Sequence, residues 1–222
     1  VSPLIVRAGD PRKRACSVSK TGISLSRPVI EQTKWKIGDE IEIGFIQKVF
    51  CVLLRKTTKG TDCFRLTHLN NRTKTGGKIH CVAWCRNYLS AISVLPKRNL
   101  RPIFLRTTPW DLALLLEETK WELEEEFSKA GLERMKQHIN KEAVGCYVLL
   151  GTRDKILRYG HGQLINRLET HLSDTARFMP LTKKFRVIVF DSKEDAEIFE
   201  KVLIAQYELE TGMIPPLNEI RS

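Results

Sequence analysis

Apolar and polar residues alternate along much of the first half of the chain, the period of a strand with one buried face. EIEIGF (40–45) is the plainest case. The stretch KTGISLSRPVIEQTKWKIGDEIEIGFIQKVFCVLLRKT (20–57) predicts strand, short helix, turn, strand, strand, with breaks at Gly22, Pro28 and the pair Gly38–Asp39. More short strands are predicted at DCFRLTHL (62–69), KIHCVAW (78–84) and AISVLP (91–96), with TKTGGK (73–78) as a loop. Residues 1–17 are rich in Pro, Gly and Arg and read as an arm.

Near residue 109 the period changes. Thr108 is a plausible N-cap and Pro109 suits a first turn. Leu112, Leu115, Leu116, Thr119, Leu123, Phe127 and Leu132 follow at approximately helical spacing, with Gly131 as a break. The expectation is a helical connector over 109–143, after a β-rich domain over 1–108. From 144 to 222 the order is strand, strand, helix, strand, helix: GCYVLLG, ILRYG, QLINRLETHL, KFRVIVFD and SKEDAEIFEKVLIAQYELETG. Ser192 followed by Asp195 marks the start of the last helix. In the first helix Leu164, Leu168 and Leu172 make a buried stripe, and Arg167 and His171 fall on its flank. In the last, Ala196, Phe199, Leu203 and Tyr207 make an apolar face with Glu200 in its middle. A carboxylate so placed needs a bound cation or a basic partner. The expected class is α+β.

Composition adds that the chain can bury a core: 222 residues, 42 % hydrophobic and 28 % charged. No apolar run reaches the ~18 residues that a membrane span requires, and no apolar signal core is seen near residue 1. The six Cys sit partly in strand-like runs, VFCVLL and GCYVLL, where a free thiol serves as a small hydrophobe. This reads as a reducing, cytoplasmic setting. Cys63, His68, His80, Cys81 and Cys85 form a group to test for zinc, although the usual C-x2-C spacing is missing.

Charge changes the picture most. The net is +11, yet residues 1–110 hold 21 Lys/Arg against 6 Asp/Glu. Residues 111–143 hold 5 against 9, and residues 144–222 hold 11 against 11. A basic excess confined to one half points to a polyanion such as double-stranded DNA.

Five short motifs then fall in order on the C-terminal elements: Gly145-Cys146-Tyr147, Arg158-Tyr159-Gly160, Arg167 with His171, Glu200 with Leu203 and Ile204, and Pro216 with Asn218. Together they resemble the GIY-YIG nuclease family, whose domain is a three-stranded antiparallel sheet flanked by helices. Cys146 stands at the usual Ile, and Arg158 stands where the second Tyr usually does, so either Arg158 or Tyr159 can face the site. The resemblance implies a Mg2+-dependent (or Mn2+-dependent) phosphodiesterase. Glu200 would hold the metal, Arg167 would contact the scissile phosphate, and Tyr147 would be the base. His171 would orient Tyr147 or assist proton transfer, with Tyr159 and Asn218 completing the site. The chemistry suits these groups, because carboxylate oxygens bind hard cations and a guanidinium fork neutralises phosphate.

The N-terminal half is similar to the swapped-hairpin DNA-binding domain of AbrB-type regulators, through KTGISL (Lys20 to Leu25) and IGDEIEI (Ile37 to Ile43). That resemblance implies an interlaced homodimer on duplex DNA. Candidate DNA contacts are Arg12, Lys13, Arg14, Lys20, Arg27, Lys34, Lys36 and Arg158. The two halves together suggest a site-specific endonuclease of restriction type. The alternatives are a homing endonuclease and a DNA-binding regulator whose nuclease fold has decayed.

Overall fold

Cys16–Ser19 (β1) and Gly22–Leu25 (β2) form an antiparallel hairpin in the computed structural model, which describes residues 15–58, 63–70, 75–89, 97–174, 177–178 and 180–218. Arg12, Lys13 and Arg14, and the predicted strand AISVLP, lie outside the described residues. These residues form an α+β structure with five helices, a large antiparallel sheet and a small four-stranded one. The chain divides into two compact units, Val1–Glu118 and Thr119–Ser222. Among the described residues no helix is long and apolar enough to cross a membrane.

In the first unit the other strands are Glu40–Ile46 (β3), Cys51–Thr57 (β4), Cys63–Asn70 (β5), Thr75–His80 (β6), Lys97–Leu100 (β7), Ile103–Phe104 (β8) and Leu112–Leu115 (β9). Their order is β7-β1-β2-β6-β5-β3-β4-β9-β8. Alternation does its expected work, since Val18, Ile23, Leu25, Ile41, Leu54, Leu66 and Ile79 are fully buried in one core. Arg27–Thr33 (α1) opens with Pro28 in its first turn and ends at Lys34, which takes a left-handed φ of 60°. The hairpin's neighbours come from the same chain, β7 beside β1 and β6 beside β2.

Three expectations are corrected here. KIHCVAW is strand only through His80, and Val82–Leu89 is a helix (α2) that buries Trp84, Cys85 and Leu89. The loop TKTGGK turns into β6 at Thr75, because β6 pairs with both β2 and β5. Of the helix predicted over 109–143, only Lys129–His138 is helical. Leu112–Leu115 is a strand between β4 and β8, and the acidic run further on supplies Leu123–Glu126 (β10). A short apolar run reads alike for helix and buried strand, and pairing partners decided it.

The second unit also differs from expectation in its strand count. Val144–Leu150 (β11), Ile156–Gln163 (β12) and Lys184–Phe190 (β13) form the three-stranded antiparallel core, but β10 adds a fourth strand, in the order β10-β13-β11-β12. Lys129–His138 (α3) begins where the Ser128 side chain accepts from the Gly131 amide. Gly131 therefore sits in a first turn rather than breaking a helix, and a Cβ there would lie 2.2 Å from the Glu126 carbonyl oxygen. Leu164–Ser173 (α4) packs on β11 and β12 and against α3. Lys193–Thr211 (α5) runs from the Ser192 cap to Gly212 and packs on β11, β12 and β13. Strand alternation separates the faces. Tyr147, Leu149, Phe185 and Val187 join the core that includes Leu164 and Leu168 of α4. Cys146, on the other face, donates its thiol to the Ala196 carbonyl of α5 at 2.9 Å.

Candidate active site

Tyr147 and His171 meet at 2.6 Å, phenolic oxygen to Nε2. Tyr147 is fully buried, and the space for its ring comes from its cross-strand partner Gly160. A Cβ at Gly160 would stand 2.1 Å from both Cζ and Oη of Tyr147, so no larger residue fits without displacing that ring. The third residue of the second motif is thus explained by close approach.

His171 is only 5 % exposed, while Arg167 is exposed and Leu172 is half-buried. The expected flank pair is therefore split, with His171 turned into the core. Phe178 covers its ring at a centroid distance of 4.3 Å, and Tyr147 satisfies one ring nitrogen. Burial first, then the fields of Arg158, Arg167 and Arg177, lower its pKa to about 3. His171 is consequently neutral near pH 7.

The three arginines arrive by different routes. Arg158 stands across from Leu149, so alternation puts it on the Tyr147 face and Tyr159 on the other. Its Nη1 donates to the Leu217 carbonyl, while its buried Nε has no hydrogen-bond partner. Arg167 follows the turn at Gly162, whose φ is +126°. Arg177 lies along the Phe178 ring, 5.1 Å from its centroid. Sequence reasoning did not find Arg177; it lies beyond α4 and enters only through the packing of Phe178 on His171.

Tyr159 and Asn218 form a separate unit. The Tyr159 amide donates to Asn218 Oδ1 at 2.9 Å, and Asn218 Nδ2 donates back to the Tyr159 carbonyl at 2.9 Å. The Leu217 amide also donates a hydrogen bond to the Leu157 carbonyl at 2.9 Å. Asn218 thus straps the C-terminal segment to β12 through backbone groups. The Tyr159 hydroxyl is raised well above its usual range by burial, then by Glu210 and Tyr207.

Glu200 is found beside a basic partner that the sequence reading did not name. His161 Nδ1 contacts Glu200 Oε2. His161 stands across from Cys146, whose thiol reaches α5, so this pair lies on the face opposite Tyr147 and His171. One further signal was available in the sequence, since His161 follows Gly160 by one residue and so alternates to the face of Tyr159.

In the first unit Lys20, Arg27, Lys34 and Lys36 are exposed around the β1–β2 turn and α1, with Arg27 paired to Glu31 at 2.8 Å. The Cys/His group does not converge. Cys81 and Cys85 are buried with sulfurs 3.5 Å apart, and their hydrogen bond, with burial, pushes the Cys81 thiol up. His80 is exposed, and among the described residues no three His, Cys, Asp or Glu side chains gather to hold a metal. Comparison of the chain with protein-family models, with curated proteins and with solved structures returned no match.

Proposed function

We propose that residues 119–222 form a GIY-YIG-type nuclease domain. The whole chain is then a Mg2+- or Mn2+-dependent, site-specific endonuclease of double-stranded DNA, of type II restriction character. The observation that carries this reading is the buried Tyr147–His171 pair, whose imidazole feels the charges of Arg158, Arg167 and Arg177. Positive charge felt at a neutral, buried imidazole, with Arg167 exposed beside it, favours an approaching phosphate. A bound phosphate would offset the field of the arginines, so His171 becomes easier to protonate when substrate is present. Its Nε2 shares a hydrogen bond with the Tyr147 hydroxyl at 2.6 Å and holds that oxygen in one orientation. Arg167, the exposed member, neutralises charge that develops on the phosphate. Glu200 would hold the divalent cation, which supplies charge neutralisation and a more acidic bound water. The basic first unit reads the duplex with Lys20, Arg27, Lys34 and Lys36. A homodimer places one cutting site on each strand.

A second reading has its own support. Tyr147 is fully buried, and Glu200 lies on the opposite face of the sheet, as expected of a DNA-binding regulator whose nuclease fold no longer cuts. The test is incubation of the full chain with phage DNA, with and without Mg2+ or Mn2+. Discrete bands that need the cation and vanish in Glu200→Gln support the nuclease. Duplex binding with no cutting under any cation supports the regulator.

A further inference from the structure

Cys81 and Cys85 place two sulfurs 3.5 Å apart in the core of the first unit. Both backbones are held. The Cys81 amide donates to the Thr21 carbonyl at 3.4 Å, and the Cys85 amide donates to the Cys81 carbonyl at 2.8 Å. The sulfurs therefore face each other across one turn, where β6 runs into α2. Two other buried thiols of this unit differ. Cys16 and Cys51 are pushed up by burial alone, Cys16 to about 12, and behave as small hydrophobes. Cys85 is instead held below the usual thiol range by the hydrogen bond from Cys81, whose own thiol is pushed up. One sulfur of the pair is thus the readier thiolate, and the other stands beside it with a proton. The pair lies a single layer below solvent, since Val82, Ala83, Arg86, Asn87 and Tyr88 are exposed on the outer face of α2. Opening of that first turn, rather than unfolding of the sheet, admits a small oxidant.

We infer that Cys81 and Cys85 form a dithiol–disulfide couple whose oxidant is a hydroperoxide, with Cys85 as the attacking sulfur and Cys81 as the resolving one. The Cys85 thiolate attacks the terminal oxygen of the hydroperoxide and breaks its O–O bond. Cys85 becomes a sulfenic acid, and the other oxygen leaves and takes a proton. The Cys81 sulfur then attacks the Cys85 sulfur. The S–S bond forms, and the hydroxyl group leaves with the Cys81 proton as water. Two thiols lose two electrons, and the hydroperoxide is reduced to an alcohol, or to water when it is hydrogen peroxide. The sulfurs close by about 1.5 Å to reach the bonded ~2.05 Å. A thiol reductant reverses the step. Such a couple suits a reducing compartment, where the disulfides that form are transient and redox-sensing. It belongs to the first unit and is independent of the nuclease reading.

The experiment is hydrogen peroxide treatment of the full native chain, followed by alkylation in denaturant and tryptic mass mapping. Cleavage after Lys78 and Arg86 leaves both cysteines on one peptide, residues 79–86. That peptide should become two hydrogens lighter and take up no alkylating agent, while Cys16 and Cys51 stay alkylatable. Dithiothreitol should return both thiols. Cys81→Ser should stop at the sulfenic acid, captured on Cys85 by dimedone, and Cys85→Ser should leave Cys81 unreacted. Cys63, which is only half-buried, sets the strictest comparison. If peptide 79–86 still takes two alkyl groups after Cys63 has been consumed, the inference is overturned, and that result needs no variant to fold. Dimedone on Cys81 in the Cys85→Ser variant, with none on Cys85 in the Cys81→Ser variant, overturns it as well.

Discussion

His171 shows how far surroundings change a single side chain. Its spacing from Arg167 marks it in the sequence, but nothing in the sequence says that Phe178 and Tyr147 will bury it. Were it exposed, it would titrate in the working range and shape the pH–rate profile. With its pKa lowered from 6.5 to about 3, it gives the substrate-free protein no such limb above pH 5. Stability carries the effect instead. Between pH 6.5 and 3 the unfolded chain binds a proton that the folded chain refuses. The contribution is complete above about 6.5 and is lost as pH falls toward 3. Denaturant midpoints should therefore drop over that window, and His171→Asn should flatten the drop; parallel curves would place the acid sensitivity elsewhere. Gly160→Ala should cost on the order of 2–3 kcal/mol, as overpacking does, because its methyl group collides with the Tyr147 ring. On the nuclease reading proposed above, Arg167→Ala should slow single-turnover cutting by on the order of 10²-fold, and Arg167→Lys should recover part of that. Glu169→Ala, which loses only a surface pair with Lys136, serves as the control. Equal rates for the Arg167 and Glu169 variants would make α4 ordinary surface.

Elements were legible where a period and a stop signal agreed. The helices α4 and α5 have both an apolar stripe and a clear boundary, and Ser192 caps α5 as expected. The run at Leu112–Leu115 followed apparent helix-start signals at Thr108 and Pro109, but the Thr108 side chain instead closes a turn on Trp110, and the run's burial between β4 and β8 depends on strands far away in the chain. The same limit applies to the site. Tyr147 with His171 could be reached from motif spacing, whereas His161 and Arg177 owe their places to packing across elements. At this scale Asn218→Ala should loosen the strap on β12. Two hydrogen bonds to the Tyr159 backbone vanish, at a cost of about 1–3 kcal/mol. A thermal melt measures this, and an unchanged melting temperature would mean that Leu217 alone holds the segment.

Across the whole molecule, charge follows the division into units. Residues 1–118 hold 21 Lys/Arg against 9 Asp/Glu, and residues 119–222 hold 16 against 17. Expressed separately, the first unit should bind duplex with a steep salt dependence, each neutralised phosphate adding a slope of about −0.9 in log K against log salt. The second should bind weakly at low salt. Filter binding over a salt series decides it, and equal affinities would refute the proposed division between reading and cutting. The asymmetry was legible from residue counts, because charge depends little on topology. The boundary itself, between Glu118 and Thr119, was not, since the acidic run that looked like a connector is divided between two sheets.

The strap has a consequence for solubility. An edge strand offers its open amides and carbonyls to any other chain, which is how sheets join into aggregates. In the second unit one edge is β10, where Glu124, Glu125 and Glu126 discourage such pairing by charge. The other is β12, whose residues 157–159 are already engaged by Leu217 and Asn218. Cutting the chain after Ile214 would leave that backbone open beside the apolar Leu157. The shortened protein should form concentration-dependent oligomers that bind thioflavin T, while the full chain stays dispersed under the same light-scattering conditions. The last turns of the chain would then act as a built-in cap against self-association.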